Sequence, residues 1–157
     1  MVNDSLRDGL NSEARFVNIL KNKDIIKYPT REENMFEHWD VQYGSKKYDV
    51  KTIKRINRYS NKTSEFTWVE FTNVNGKNGW IFGKSDYIAF DLMFKWVIID
   101  REKLKNMVLS RLKDRTIRIK DSSPKTYLPY RRSGRDDTIV LVPVADIEEI
   151  ADMVKYV

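Results

Sequence analysis

Residues 38–51, His38-Trp39-Asp40-Val41-Gln42-Tyr43-Gly44-Ser45-Lys46-Lys47-Tyr48-Asp49-Val50-Lys51, restrict the fold more than any other stretch. Trp39, Val41, Tyr48 and Val50 alternate with polar neighbours, the period of a strand with one buried face. Gly44-Ser45 suits a two-residue turn, because Gly supplies the positive φ that a II′ turn needs at its first position. That turn sets a register: Tyr43 opposite Lys46, Gln42 opposite Lys47, Val41 opposite Tyr48, Asp40 opposite Asp49 and His38 opposite Lys51. Opposed residues share a face, their Cβ atoms roughly 5 Å apart. Lys51 falls two residues after Asp49, on the same side. One face is then apolar, and the other carries two carboxylates and an ammonium.

Opposed carboxylates repel and destabilise a hairpin. A divalent cation between them removes the conflict, and Mg²⁺ favours one or two carboxylates completed by waters and phosphate oxygens. A lysine beside such a cation can orient a water or neutralise charge on a phosphoryl transition state. This is the outline of a phosphodiester-hydrolysis site. A hairpin with an ordinary solvated face would hold the same residue types.

Asp40, followed by Asp49-Val50-Lys51, resembles the Asp…(Asp/Glu)-x-Lys core of the PD-(D/E)XK nuclease superfamily, which includes restriction endonucleases and archaeal-type Holliday junction resolvases. The resemblance spans about residues 5–90. Trp39 stands where the superfamily usually has Pro, and no subfamily is indicated. The resemblance implies a Mg²⁺ ion (Mn²⁺ substituting) held by Asp40, Asp49 and the carbonyl of Val50, with Lys51 positioning the attacking water. It implies an outer-shell glutamate from the first helix, matched by Glu13, and another acid from the strand after the motif, matched by Glu70. It also implies a restriction endonuclease-like fold, DNA as partner and the cytoplasm of a bacterial or phage-infected cell, and it leaves a homodimer open.

Length and composition fit that outline. The 157 residues suffice for one domain, 1–157, with a core of its own. Hydrophobic residues make up 41% and charged residues 33%, the balance of a soluble globular chain. No apolar run approaches the ~20 residues of a membrane span. The first residues have neither the basic nor the apolar region of a signal peptide. The lack of cysteine excludes disulfides, thiolate metal sites and cysteine nucleophiles, and a single histidine excludes a three-histidine zinc site. A net charge of +6 points to an anionic partner, most often nucleic acid, although a merely basic soluble protein would look the same.

Along the chain, residues 4–22 read as a helix with Glu13 about 90° from its apolar stripe. Residues 24–28 read as a strand and 31–36 as a charged connection. The second hairpin strand is expected to reach Ile53 or Ile56. Lys54, Arg55, Arg58 and Lys62 lie in a basic loop that also carries Tyr59, suited to phosphate contacts and stacking. Residues 66–71 are a β-prone strand in which Glu70 is an acid among aromatic residues. Short strands are expected at 80–83, 85–90, 95–99 and 117–119, and a helix capped by Asp100 over 101–112. Lys125, Tyr127, Tyr130, Arg131, Arg132 and Arg135 form a second basic, aromatic segment, expected to border one groove with the first. A strand at 138–142 and a closing helix at 145–156 complete the chain.

The fold class is α/β, a single domain with a central mixed β-sheet flanked by α-helices. The reading of function is a Mg²⁺-dependent DNA endonuclease. No helix-turn-helix or zinc finger is recognisable, which leans toward recognition of DNA structure, as by a junction resolvase. Two alternatives stay open: a non-catalytic nucleic-acid-binding or inhibitor module on the same scaffold, and a nuclease acting on RNA.

Overall fold

The computed structural model describes residues 4–57 and 60–157. The described residues form one α/β domain with mixed sheets and four α-helices. Helix α1 (Asp4–Ile19) leads to the edge strand β1 (Ile26–Lys27). The charged connection at 31–36 is in fact helix α2 (Arg31–Glu37), because Thr30 and Glu33 close a reciprocal capping box that satisfies its first amides. The hairpin follows as β2 (Val41–Tyr43) and β3 (Lys46–Thr52), then a small ribbon of β4 (Lys54–Arg55) and β5 (Lys62–Thr63), then β6 (Phe66–Thr72). Residues 80–83 are not a strand: Trp80–Phe82 form a 3₁₀ turn. The strands β7 (Tyr87–Asp91) and β8 (Lys95–Asp100) precede α3 (Arg101–Arg111), which Asp100 caps by accepting from the Lys103 amide at 2.9 Å. The chain ends in β9 (Arg118–Ile119), β10 (Pro129–Arg131), β11 (Thr138–Pro143), α4 (Val144–Ile150) and β12 (Met153–Tyr156). Among the described residues no helix is long and apolar enough to cross a membrane.

The hairpin register is the one the turn demands: Val41 pairs with Tyr48, Gln42 with Lys47 and Tyr43 with Lys46, and Gly44 has φ 61°. The ladder stops there. Asp40 donates its amide to the Tyr48 carbonyl at 2.8 Å instead of pairing with Asp49, and His38 caps α2 at φ 57° instead of facing Lys51 in the ladder. Trp39 leaves the apolar face of Val41, its indole donating to Glu37 and Lys47 lying over its ring.

The single central sheet is corrected to two. One has six strands in the order β1-β2-β3-β7-β8-β12; the other has four, β6-β11-β10-β9. Both faces of the larger sheet are covered. Val50, Ala89, Trp96 and Ile98 pack under Phe16 of α1, while Ile88, Phe90, Val97 and Ile99 pack against Val69 and Val140 of the smaller sheet and Leu104 and Val108 of α3. This double burial explains the nearly continuous apolar runs of β7 and β8. It also changes the environment of Asp49. Asp49 pairs with Ile88 and Lys51 with Phe90, so their face of β3 looks toward the second sheet rather than into water.

The closing helix also differs from expectation. It ends at Ile150, and Met153–Tyr156 pair with β8, Met153 opposite Ile98 and Tyr156 opposite Lys95. The unpaired edge of β8 supplies ladder partners that outweigh the helical preference of a short segment. Val154 is accordingly exposed rather than buried.

Candidate active site

A cavity of about 510 Å³ opens between α1, β3 and β6. Glu13 from α1, Asp40 from the loop before β2, Val50 and Lys51 from β3, and Glu70 from β6 all line it. The tight approach of the loop after β6 backs Glu70. A Cβ on Gly79 would stand 2.3 Å from the Glu70 carbonyl oxygen, so only glycine fits there.

Asp40 is held from two sides. Its Oδ2 accepts the Val50 amide at 2.7 Å, and its Oδ1 accepts Asn34 Nδ2 at 2.9 Å. Asp40 is also close enough to both Glu13 and Asp49 for carboxyl–carboxyl hydrogen bonding. Asn34 belongs to α2, so its role stayed hidden while 31–36 read as a connection.

Asp49 sits behind the cavity wall, 2% exposed. Its Oδ1 pairs with Lys51 Nζ at 2.8 Å, and its Oδ2 is buried with no hydrogen-bond partner. A buried acceptor left unmatched costs about 1–3 kcal/mol, so the atom calls for a proton, a cation or a bound water. Burial pushes the Asp49 carboxyl well above its ordinary pKa; Lys51 opposes this and Asp40 reinforces it. Burial and then the Asp40 charge raise Glu13 to about 7. At Lys51 burial works against the charged form, but Asp49 and Asp40 outweigh it and hold the pKa above the ordinary lysine value. Lys51 Nζ also lies 4.9 Å from the centre of the Trp80 ring. His38 lines the same cavity, its pKa lowered chiefly by burial.

The side chains able to hold a cation here are Asp40 and Asp49, with Glu13 beside them. Among the described residues no group of three or more His, Cys, Asp or Glu side chains is spaced to enclose a metal ion.

A second cavity of about 830 Å³ adjoins the first, and Thr52, Lys54, Arg55, Lys120 and Arg132 line both. It brings Lys54, Arg55 and Lys62 of the first basic segment together with Arg132 and Arg135 of the second. Arg58 and Tyr59 lie outside the described residues. The rest of the second segment is elsewhere. Lys125 is exposed and lines neither cavity, and Arg131 turns its Nε toward the Asp137 carbonyl. Tyr130 is 4% exposed, packed edge-on against Trp68, its hydroxyl accepting the Lys125 amide. Tyr127 is buried as well, donating to Asp146 at 2.5 Å. Tyr130 is a core residue because 129–131 is a strand laid between β9 and β11, not a loop, and Tyr127 joins the main core, its amide donating to the Leu141 carbonyl at 3.0 Å.

Lys120, Trp68 and Trp80 were not singled out by sequence. Trp68 and Trp80 read as strand packing. Lys120 follows a two-residue strand and is recognisable only once β9 pairs beside β10 and Lys120 Nζ lies 5.5 Å over the Trp68 ring. Burial and the nearby Arg132 lower its pKa. A scan against protein-family models and searches of curated proteins and of solved structures find no match to this chain.

Proposed function

We propose that this protein is a Mg²⁺-dependent endonuclease of PD-(D/E)XK type that hydrolyses phosphodiester bonds of DNA. The observation that carries the reading is the Lys51–Asp49 pair at 2.8 Å, with the Asp40 charge acting on both Asp49 and Glu13, at the wall of a cavity that adjoins a second, cation-lined one. A helix acid, a first Asp and an Asp-x-Lys strand brought together in that order also support the restriction endonuclease-like fold.

The donor chemistry fits a hard cation. Asp49 Oδ2 lacks a partner, and Glu13 and Asp49 both have raised pKa values, so the cluster is short of positive charge. Two carboxylates suffice for Mg²⁺ when waters and phosphate complete its shell. Asp40, Asp49 and the Val50 carbonyl would hold the ion, with Glu13 in support. A bound Mg²⁺ or Mn²⁺ supplies Lewis-acid stabilisation of charge at the phosphate.

The chain's own groups divide the remaining work. Lys51, kept charged by Asp49 and Asp40, donates to the attacking water and to the negative charge that develops on the phosphoryl oxygens. Glu13, beside Asp40, would support the outer shell of the ion. Glu70 adds its charge to those holding Lys51 protonated. Lys54, Arg55 and Lys120 bind flanking phosphates.

The burial of Asp49 behind the wall favours a second reading, a nucleic-acid-binding module without catalysis. One experiment separates them: incubation with linear duplex, single-stranded and four-way-junction DNA, and with RNA, in Mg²⁺ or EDTA. Cleavage of DNA that stops in EDTA supports the nuclease. Binding without cleavage of any substrate supports the module, and cleavage confined to RNA reassigns the substrate.

A further inference from the structure

The larger cavity has a composition that phosphodiester hydrolysis alone does not require. Its walls come from three directions: the β4–β5 ribbon with Lys54 and Arg55, the segment after β9 with Lys120, and the turn at 132–135 with Arg132 and Arg135. Lys62 ties the ribbon to α1 through Asp8. Asp8 and Asp121 are the acids among its lining residues, so cations dominate. Burial, and then the charge of Lys51, lowers the pKa of Lys54, while Arg132 helps lower that of Lys120. Cations crowded enough to depress one another gain from an anion placed between them. Arg132 is already fixed: its amide and Nε both donate to the fully buried Asp137.

The shape favours a flexible anion. The cavity is recessed, whereas duplex DNA is stiff over about 150 base pairs and cannot fold into a pit. Trp68 is half-buried where the two cavities meet, beneath Lys120. A ring in such a recess meets a base only if that base is already unpaired and unstacked. Cations tracking a backbone beside an aromatic ring are the features by which single strands are bound.

We propose that this basic cavity seats a single-stranded DNA segment that continues from the phosphate at the acid cavity, with its backbone against Lys54, Arg55, Lys120 and Arg132 and a base against Trp68. The proposal rests on the nuclease reading and deepens it: the substrate is a strand end, flap or opened region rather than intact duplex.

The test is fluorescence anisotropy of a labelled oligo-dT twelve-mer with full-length Asp49→Asn protein in EDTA, so that no cleavage intervenes. The single strand is expected to bind more than tenfold tighter than a blunt duplex of equal length. Lys54→Ala, Arg55→Ala and Lys120→Ala combined should weaken it at least tenfold and flatten the log–log salt slope by about two units, at about 0.7 per phosphate. Lys27→Ala, on the far edge strand, should change neither. Circular dichroism checks that the combined variant folds, and each single variant should reproduce part of the loss. Equal or tighter duplex binding, or an unchanged slope in the folded variants, overturns the proposal. Cleavage of blunt duplex by the wild type without single-strand preference would overturn it and leave the nuclease reading standing. Single-strand binding by a protein that cleaves nothing would remove the nuclease reading while the cavity assignment held.

Discussion

Oδ2 of Asp40 accepts the backbone amide of Val50 at 2.7 Å. The first acid is thereby bonded to the strand that carries Asp49 and Lys51, so the three charged groups are positioned by one peptide rather than by three independent elements. Asn34 completes the clamp from α2. Such preorganisation is worth more to a reaction than the net strength of the bonds themselves.

Asp40→Asn, Asp49→Asn and Lys51→Ala should each lower cleavage by at least about 100-fold, the size expected for a lost charge-stabilising group. Asn34→Ala should lower it less, because it loosens Asp40 without removing it. The fold should survive in all four, and far-ultraviolet circular dichroism with single-turnover cleavage checks this. Full activity in Asp49→Asn would place the chemistry elsewhere.

Glu13 should make stability fall as pH rises in metal-free protein, against an opposite contribution from His38, whose pKa burial lowers. Glu13 binds its proton with a pKa of about 7 in the folded chain against 4.5 ordinarily, so the native state holds more protons over that interval. The contribution is complete below 4.5 and is lost as pH passes through about 7. Asp49 acts with the same sign. Glu13→Gln should remove the part of the fall due to Glu13, on the order of 2 kcal/mol after allowance for its partial exposure. Urea unfolding in EDTA across this range measures it. An unchanged slope in Glu13→Gln would mean that Glu13 titrates normally.

Gly79→Ala should destabilise the protein by about 2–4 kcal/mol, because its Cβ would meet backbone at the Glu70 carbonyl and not a side chain that can turn aside. The shift it forces on Glu70 should raise the Mg²⁺ concentration needed for half-maximal cleavage, as Glu70→Gln should also do. A Gly79→Ala protein with wild-type melting temperature would show that the two segments separate easily.

Asp91 anchors α1. It accepts from Ser12 Oγ at 2.9 Å, from Arg15 Nε at 2.7 Å and from the Met93 amide at 2.9 Å, with Ser12 and Asp91 both buried. Asp91→Ala should cost about 2–3 kcal/mol, more than Ser12→Ala, because it leaves the buried Ser12 hydroxyl without its acceptor while the part-exposed Arg15 is free to turn to water. Ser12→Ala should cost about 1–3 kcal/mol by leaving Asp91 one donor short. Ser12 directly precedes Glu13, so both variants should reduce cleavage at saturating DNA more than they reduce DNA affinity. Thermal melts, binding isotherms and turnover rates together check the order.

Features governed by local chemistry were legible in the sequence. The turn at Gly44-Ser45 determines the β2–β3 register, since a hairpin's pairing follows its turn and its alternation. Asp100 announces α3 because a cap acts within one turn of the helix it starts. The Thr30/Glu33 box was equally local, and α2 went unseen only because the charged residues around it read as a connection. Asp40, Asp49 and Lys51 could be picked out because the hairpin alternation puts them on one face, and Glu70 because it is an acid among aromatic strand residues, whereas Glu13 became a candidate only through the superfamily resemblance.

Long-range pairing decided the rest. The smaller sheet joins β6 to β11, segments about seventy residues apart, and no local pattern specifies that partner. That sheet covers the Asp49 face of β3 and turns an expected solvated carboxylate into a buried one with a raised pKa. The free edge of β8 drew Met153–Tyr156 into a strand, and the pairing of β9 with β10 buried Tyr130 while placing Lys120 over Trp68. Turn, cap and alternation are properties of a few consecutive residues. Burial, charge coupling and the shape of the two joined cavities depend on which distant segment packs against which, and only the tertiary structure contains that information.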